Sequence, residues 1–443
     1  MASLMDDARA VVALAKKKGA QGVAASAGRA RNVSVDWRDG KLEKISEATT
    51  RGVGVALYVD GRFSAVSTSD LRPEALDRFL EEAVAMARVL AQDPYRQLPD
   101  PALYENRPEL DLRSEDPDYD KVTAAQRRQL AQEVEAGART AKGQEGGAAI
   151  ISVTGSFSDT SYQSALIISN GFEGSRRATF FSAGAEASVK DPDGRRPEES
   201  YYAASRFLHE LPDAAAIGRL AAERALGRIG SQKMQSGVLP MVVENRVAGG
   251  LVGRLLGPAH AASLQQKRSF LEGKKGEPVG SALLDFSDDP LVVRGLGSRL
   301  FDSEGISAKR FPIFEGGVLQ NYYVDTYYGR KLGIAETTAG SSNLSWKLGG
   351  KDLDALVAEV QDGVLVTGFL GGNSNGTTGD FSLGVQGFRI RAGKRAEPVA
   401  EMNVAGNHLE LWKQLAAVGN DPYQYSSGRT PTLVFEGVQF AGV

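Results

Sequence analysis

The sequence predicts an α+β protein. An N-terminal region of antiparallel sheets with flanking helices precedes a C-terminal region that is mostly β, barrel- or sandwich-like, with a few helices. Three observations carry this. Apolar and polar residues alternate with period two over several runs that close on Asp-Gly or Asn-Gly. Helical-period segments lie between those runs. The 443 residues include 51 glycines without a low-complexity tract, which implies many tight turns and hence many strands. At about 150 residues per domain, the length suggests roughly three domains. Boundaries are expected near 115 and 235: an N-terminal α+β domain over 1–115, a central α+β domain over 116–235 that could pack with the first as one unit, and a β-rich domain over 236–443.

The elements follow in order. Leu4 to Lys18 has helical spacing through Val11, Val12, Leu14 and Ala15. Val33, Val35 and Trp37 then alternate with polar residues, and Asp39-Gly40 supplies the positive φ angles of a hairpin. Strands are expected at Leu42–Ala48, Gly52–Val59 and, after Asp60-Gly61, Arg62–Ser67. Ser69 or Asp70 would cap a helix running to Val89, with Pro73 in its first turn and Leu76, Phe79, Leu80 and Val84 as its buried stripe. Five of the 17 prolines fall in Pro94–Pro117, which reads as a connector. A helix over Ala124–Lys142 follows. Strands are then expected at Ile150–Asp159, Tyr162–Ser169, Arg177–Lys190 and Tyr201–Phe207, and a helix at Pro212–Leu226. Beyond Gly237 come a short strand to Val243 and a helix over Arg246–Leu256. The remaining strands are placed at Ile313–Tyr323, Gly363–Phe369, Ser382–Ala392, Glu397–Val404 and Thr432–Phe440.

Composition excludes several chemistries. With no cysteine, there is no thiolate nucleophile, no disulfide and no zinc site with a Cys ligand. The three histidines, His209, His260 and His408, are too far apart for the His-Glu-x-x-His pattern of zinc hydrolases. A net charge of −3 offers no basic excess for nucleic acid, so direct nucleic-acid binding is not expected. No apolar run reaches the roughly 20 residues of a membrane span. The acidic start Met1–Asp7 is unlike a signal peptide, so a cytoplasmic location and no membrane contact are expected.

Asp380, Ser382 and His408 could arithmetically form a Ser-His-Asp arrangement. The plainer reading is that His408 opens a helix through Leu409 and Trp412, while Asp380 and Ser382 cap turns. His209 and His260 read as surface or cap residues. The stretch Gly371–Gly376, which contains Asn373, reads as a mobile loop, or as a ligand or partner loop. No catalytic or metal-binding residue is assigned. The candidate peptide- or partner-contact residues are Asn373, Thr378, Asp380, Ser382 and His408.

Several motifs together resemble those of the TldD/PmbA family, once called modulators of DNA gyrase. They are Asp39-Gly40-Lys41, Arg51–Val55, Thr68–Leu71, Ser169–Phe172, Ser269–Leu271, Asp325–Gly333, Thr378–Ser382, Val404–Asn407, Gly419–Asp421 with Pro431, and Ala441-Gly442. The resemblance implies two branches. The TldD-like branch is a zinc protease with a His-Glu-x-x-x-His helix and a later Cys. The PmbA branch, also called TldE, is its partner and lacks those ligands. Anchored on Ser269-Phe270, the zinc helix would fall near Leu251–Leu256, where the ligand positions would be apolar in this sequence. The resemblance therefore implies a PmbA/TldE-like subunit that binds no cofactor itself, with zinc on a TldD-like partner. The expected assembly is a heterodimer, or a homodimer where that partner is absent. The expected substrates are unfolded or extended peptides of microcin or antitoxin type. The alternatives are an autonomous hydrolase built near Asp380, Ser382 and His408, or a peptide-binding scaffold without a protease.

Overall fold

The computed structural model describes residues 3–141 and 150–443. Its first half is built from α1 (Leu4–Lys17), β1 (Gly22–Arg38), β2 (Lys41–Val59), β3 (Arg62–Thr68), α2 (Pro73–Ala87), α3 (Ala124–Ala138), β4 (Ile150–Ile168), β5 (Phe172–Val189), β6 (Glu198–Ser205) and α4 (Ala214–Leu226). The strands form one antiparallel sheet in the order β3-β2-β1-β4-β5-β6. Asp39 and Gly40 take φ of 46° and 77°, and Asp60 and Gly61 take 50° and 73°. These are the paired positive angles of a two-residue hairpin turn.

Strands expected in pairs are continuous here. Leu42–Ala48 and Gly52–Val59 are both parts of β2, and Ile150–Asp159 and Tyr162–Ser169 are both parts of β4. Neither junction holds a residue that breaks a ladder, and β1 pairs along both. Because β1 pairs with β4, the sheet spans the sequence on both sides of 115.

Both helix pairs cover the same face of the sheet. Val11, Val12, Leu80 and Val84 pack on Val23, Val53, Val55 and Leu57. Val134 and Ile217 pack on Phe157 and Phe181. The second pair crosses at glycines. A Cβ on Gly218 would sit 1.8 Å from the Val134 carbonyl oxygen, and one on Gly137 would sit 2.1 Å from that of Ala215. Under the sheet, Arg127 is buried against Asp159, whose carboxylate also accepts from the Tyr119 hydroxyl at 2.7 Å.

Two helix boundaries differ from expectation. Arg72, not Ser69 or Asp70, holds the N-cap position of α2 and makes no side-chain cap. The Asp70 carboxylate instead takes the Arg72 guanidinium. Helix α3 stops at Ala138, and Lys142, its expected end, lies outside the described residues.

The second half contains β7 (Gly237–Val243), α5 (Asn245–Leu256), α6 (Ala261–Gln265), β8 (Phe286–Asp288), β9 (Phe311–Glu315), β10 (Val318–Leu319), α7 (Thr326–Leu332), β11 (Leu344–Trp346), α8 (Leu353–Glu359), β12 (Asp362–Ser374), β13 (Asp380–Arg391), β14 (Lys394–Asn407), α9 (His408–Lys413), β15 (Leu415–Val418) and β16 (Leu433–Ala441). The larger sheet runs β14-β13-β12-β7-β16-β15. Pairing of Val404 with Phe440 closes β14 onto β16, giving a five-strand barrel. Only β7–β12 is parallel in it. A small sheet, β10-β9-β8-β11, packs beside it. Their common core includes Val243, Leu251, Leu255, Phe286, Phe314, Trp412 and Phe435.

The strand expected at Ile313–Tyr323 breaks at Gly316-Gly317, with φ of 55° and 83°. The stretch expected as a mobile loop is largely strand, since β12 continues to Ser374. Gly371 and Gly372 make an irregularity in it, and a Cβ on Gly372 would meet the Ser382 carbonyl oxygen at 2.2 Å. The Asp325–Gly333 motif is a short helix with both caps. Asp325 accepts from the Tyr328 amide at 2.7 Å, and Gly333 ends the helix in the left-handed region.

Candidate functional site

Segments far apart in sequence meet at one lip of the barrel. The Ser269 hydroxyl donates to the Pro258 carbonyl at 2.7 Å, just after α5. The Phe270 amide donates to the Gly376 carbonyl at 2.8 Å. These bonds anchor residues 375–379 against the end of α5. The His408 amide donates to the Gly379 carbonyl at 2.8 Å, which brings α9 to the same place.

Of the five contact candidates, four lie on the exposed side of this lip. Asn373 and Ser382 are a cross-strand pair between β12 and β13, both exposed. Thr378 donates its hydroxyl to Asp380 at 2.7 Å, and Asn407 Nδ2 donates to Asp380 at 3.0 Å. These hydrogen bonds, Asn407 first and Thr378 second, hold the Asp380 carboxyl below the usual carboxylate range.

His408 is the fifth, and it lies inside. It is fully buried between the rings of Phe270 and Phe381, with centroids 5.6 and 4.7 Å away. Its Nε2 lies 2.8 Å from the Ser374 hydroxyl. Burial, helped by the Arg254 charge, pushes its pKa down to about 4, so the ring is neutral at pH 7. Its Nδ1 is buried without a partner. The Ser-His-Asp arrangement is therefore not assembled: Asp380 bonds Thr378 and Asn407, and among the described residues no carboxylate hydrogen-bonds His408. Sequence reasoning missed Ser374, which could be found only from the continuation of β12.

The other histidines stand apart from this lip. His209 is exposed and meets Phe207 edge-on. His260 holds the N-cap position of α6 without capping it, and stacks on Tyr323 at 4.9 Å.

Helix α5 buries Leu251, Val252, Leu255 and Leu256 in the barrel core. These side chains offer no lone pair to Zn²⁺ and no base for a bound water. Among the described residues, no group of three or more His, Asp or Glu is placed to hold a metal ion. The donor set does not fit a zinc site.

A second accessible feature is an edge. Strand β3 pairs with β2 only from Val53 onward, so the first part of β2 has one unpaired side. Residues 41–51 are all exposed, Leu42 and Ile45 among them. An exposed strand edge is a template for strand addition.

Family models match the chain in series. They are the PmbA/TldA metallopeptidase domain 1 over residues 23–87, the central domain over 117–229 and the C-terminal domain over 236–442. The chain belongs to the PmbA/TldD family. Among its PmbA/TldD relatives, Metalloprotease PmbA of Escherichia coli O157:H7 is 27% identical over 95% of this chain and 92% of that protein. The Metalloprotease PmbA homolog of Haemophilus influenzae is 30% identical over 97% and 94%. A crystal structure from Bacteroides thetaiotaomicron, named as a candidate modulator of DNA gyrase, superposes with a TM-score of 0.95 at 38% identity, covering 99% of this chain and 98% of that one. TldE from Thermococcus kodakarensis shares the fold, with a TM-score of 0.85 at 19% identity over 98% and 100%. No helix among the described residues is long and apolar enough to cross a membrane.

Proposed function

We propose that this protein is a non-catalytic, PmbA/TldE-like cytoplasmic subunit that pairs with a TldD-like zinc metalloprotease to process unfolded or extended peptides, of microcin or antitoxin type. One observation carries the reading: leucine and valine occupy the stretch of α5 where the resemblance would place the metal ligands. The relatives' names include the word metalloprotease. For this chain we assign the metal chemistry to the partner, because α5 supplies none of its ligands. The unpaired edge of β2 supports a role in holding an extended chain or a partner strand. The test is to measure cleavage of an unfolded peptide by the isolated chain after metal stripping, by a TldD-like protein alone, and by the two mixed. Cleavage only in the mixture is expected. Cleavage by the stripped chain alone would remove the reading.

The contact between Ser374 and His408 favours a second reading, an autonomous hydrolase. It requires an activity of the isolated chain that His408→Ala abolishes.

A further inference from the structure

A cavity of about 730 Å³ lies between β5, the connector around residues 110–117 and the loop at 296–301. Five arginines line it: Arg113, Arg176, Arg177, Arg206 and Arg299. The acids lining it are Asp111 and Glu115, and Asp111 is engaged by the Arg113 amide. Among the described residues the more buried arginines form no salt bridge and donate mainly to carbonyls. Arg206 donates to the carbonyls of Thr179, Gly295 and Leu296. Arg299 donates to the carbonyls of Gly340 and Ser341 and to the Thr338 hydroxyl. Arg176 donates to the carbonyls of Phe301 and Asp302, and its Nε is a buried donor with no partner. Arg176 and Arg299 also repel each other, while the Asp302 carboxylate attracts Arg176 and the Asp288 carboxylate attracts Arg299. Guanidinium groups held this way are oriented by carbonyls and only in part balanced by the nearby Asp302 and Asp288 carboxylates, a state that a bound anion would relieve further.

The surroundings suit a peptide better than a free ion. Strand β6 pairs with β5 only from Phe181 onward, so residues 175–178 present a strand edge inside the cavity. Through Tyr162, Arg176 and Phe301 the cavity joins a groove of about 630 Å³ on the uncovered face of the sheet. Small residues such as Ser26, Gly54 and Ser164 floor that groove. An extended chain needs such a bed and such an edge.

We propose that this cavity captures a carboxylate of an extended peptide, with Arg176 contacting the anion and the 175–178 edge aligning the chain. The proposal rests on the peptide-processing reading above and names the group recognised. The test uses the full chain and fluorescence anisotropy of a short unstructured peptide labelled at its N-terminus. The peptide is made as the free acid, as the C-terminal amide, and as the amide with one internal Glu. The free acid is expected to bind about tenfold more tightly than the plain amide. Arg176→Gln should erase that difference, and Arg177→Glu, a charge reversal at an exposed position lining the cavity, should reduce it. An unshifted melting curve for Arg177→Glu confirms that its fold is intact. The Glu-bearing amide tells a side-chain carboxylate from the C-terminal one, and acid-like or plain-amide-like binding by it both fit the proposal. Equal binding of acid and plain amide to the unmodified protein overturns the cavity's role but leaves peptide processing standing. No binding of any of the peptides overturns both. Acid selectivity without partner-dependent cleavage overturns the processing role alone.

Discussion

The N-terminal sheet and the C-terminal barrel solve the edge problem of β structure differently. In the sheet, β1–β2, β2–β3, β4–β5 and β5–β6 are all chain neighbours, and short turns join most of them. In the barrel, β7 lies between β12 and β16, whose residues 364 and 434 both register on Met241 or Val242 from far along the chain. The sheet leaves long edges open on β2 and β5. The barrel closes β14 onto β16 at Asn403 and Val404, although β12 runs on past its pairing with β7, which ends at Val366. The difference places the longest accessible strand edges in the half made of local hairpins, while the distant pairings of the other half gather its motifs at one lip.

The two halves meet at a charge cluster. Glu199 on β6 is buried with Arg246 at 3.5 Å and with Arg224 and Arg228 at 3.9 Å. Gln386 of the barrel also donates to it. Arg224 is in turn bidentate to Glu244. This cluster gives a way to ask whether the halves are one cooperative unit.

The largest effect is expected from Asp159→Ala inside the sheet. It strands the buried Arg127 and should cost about 3–5 kcal/mol, read by urea unfolding. Calorimetry of the same variant sharpens the comparison. A single transition that moves as a whole means the halves unfold together, whereas a new early transition means that the sheet has separated from the barrel. Glu199→Ala should then convert one transition into two, because it removes the anion shared across the seam. An unchanged thermogram would show that the cluster does not couple them.

Next in size is a pH effect that distinguishes the barrel lip from the start of α7, where Glu304 bonds Thr326. The His408 pKa is depressed in the folded protein, so its contribution to stability is complete above about pH 6.5 and is lost as pH falls toward 4. The loss amounts to at most about 3 kcal/mol. Glu304 runs the other way. Burial raises it to about 7 despite hydrogen bonds from Thr326 at 2.8 Å. Its contribution is complete below about pH 4.5 and is lost as pH rises through 7. His408→Gln should flatten the acid side of the stability profile and Glu304→Gln the neutral side. A profile that neither variant alters would break the assignment.

Gly218→Ala should cost about 1–3 kcal/mol by forcing α3 and α4 apart, and chemical denaturation with a near-UV spectrum would detect it. An unchanged midpoint would mean that the crossing can relax. The smallest effect contrasts two caps. Asp325→Ala should lose about 1 kcal/mol, while Asp70→Ala should leave the melting midpoint where it is, since Asp70 caps nothing.

Much of the sheet was legible because its information is local. Asp39-Gly40 and Asp60-Gly61 state their turns outright, and the alternation at Val33, Val35 and Trp37 states the pleat. The barrel's closure was not legible, because no local signal says that Val404 will register on Phe440. The strands flanking Ala392-Gly393 were expected, but the two-residue turn that joins them was not, since an alanine at φ 47° is not a turn signal. At the lip, sequence order supplied Thr378, Asp380 and His408, but not which of them touch. Alternation along β13 sends Phe381 inward and Asp380 and Ser382 outward, which separates the acid from the imidazole. The arginine cavity was invisible because its residues come from the connector, β5 and a loop of the second half.

Barrel closure has a consequence for synthesis. Strand β16 fills the gap between β7 and β14, so until Leu433–Ala441 leave the ribosome both neighbours stand unzipped. The sheet can mature while translation continues, whereas the second half must wait, shielded or chaperoned, for its final strand. A stop codon placed just ahead of Leu433 should therefore yield a soluble first half joined to an aggregation-prone remainder.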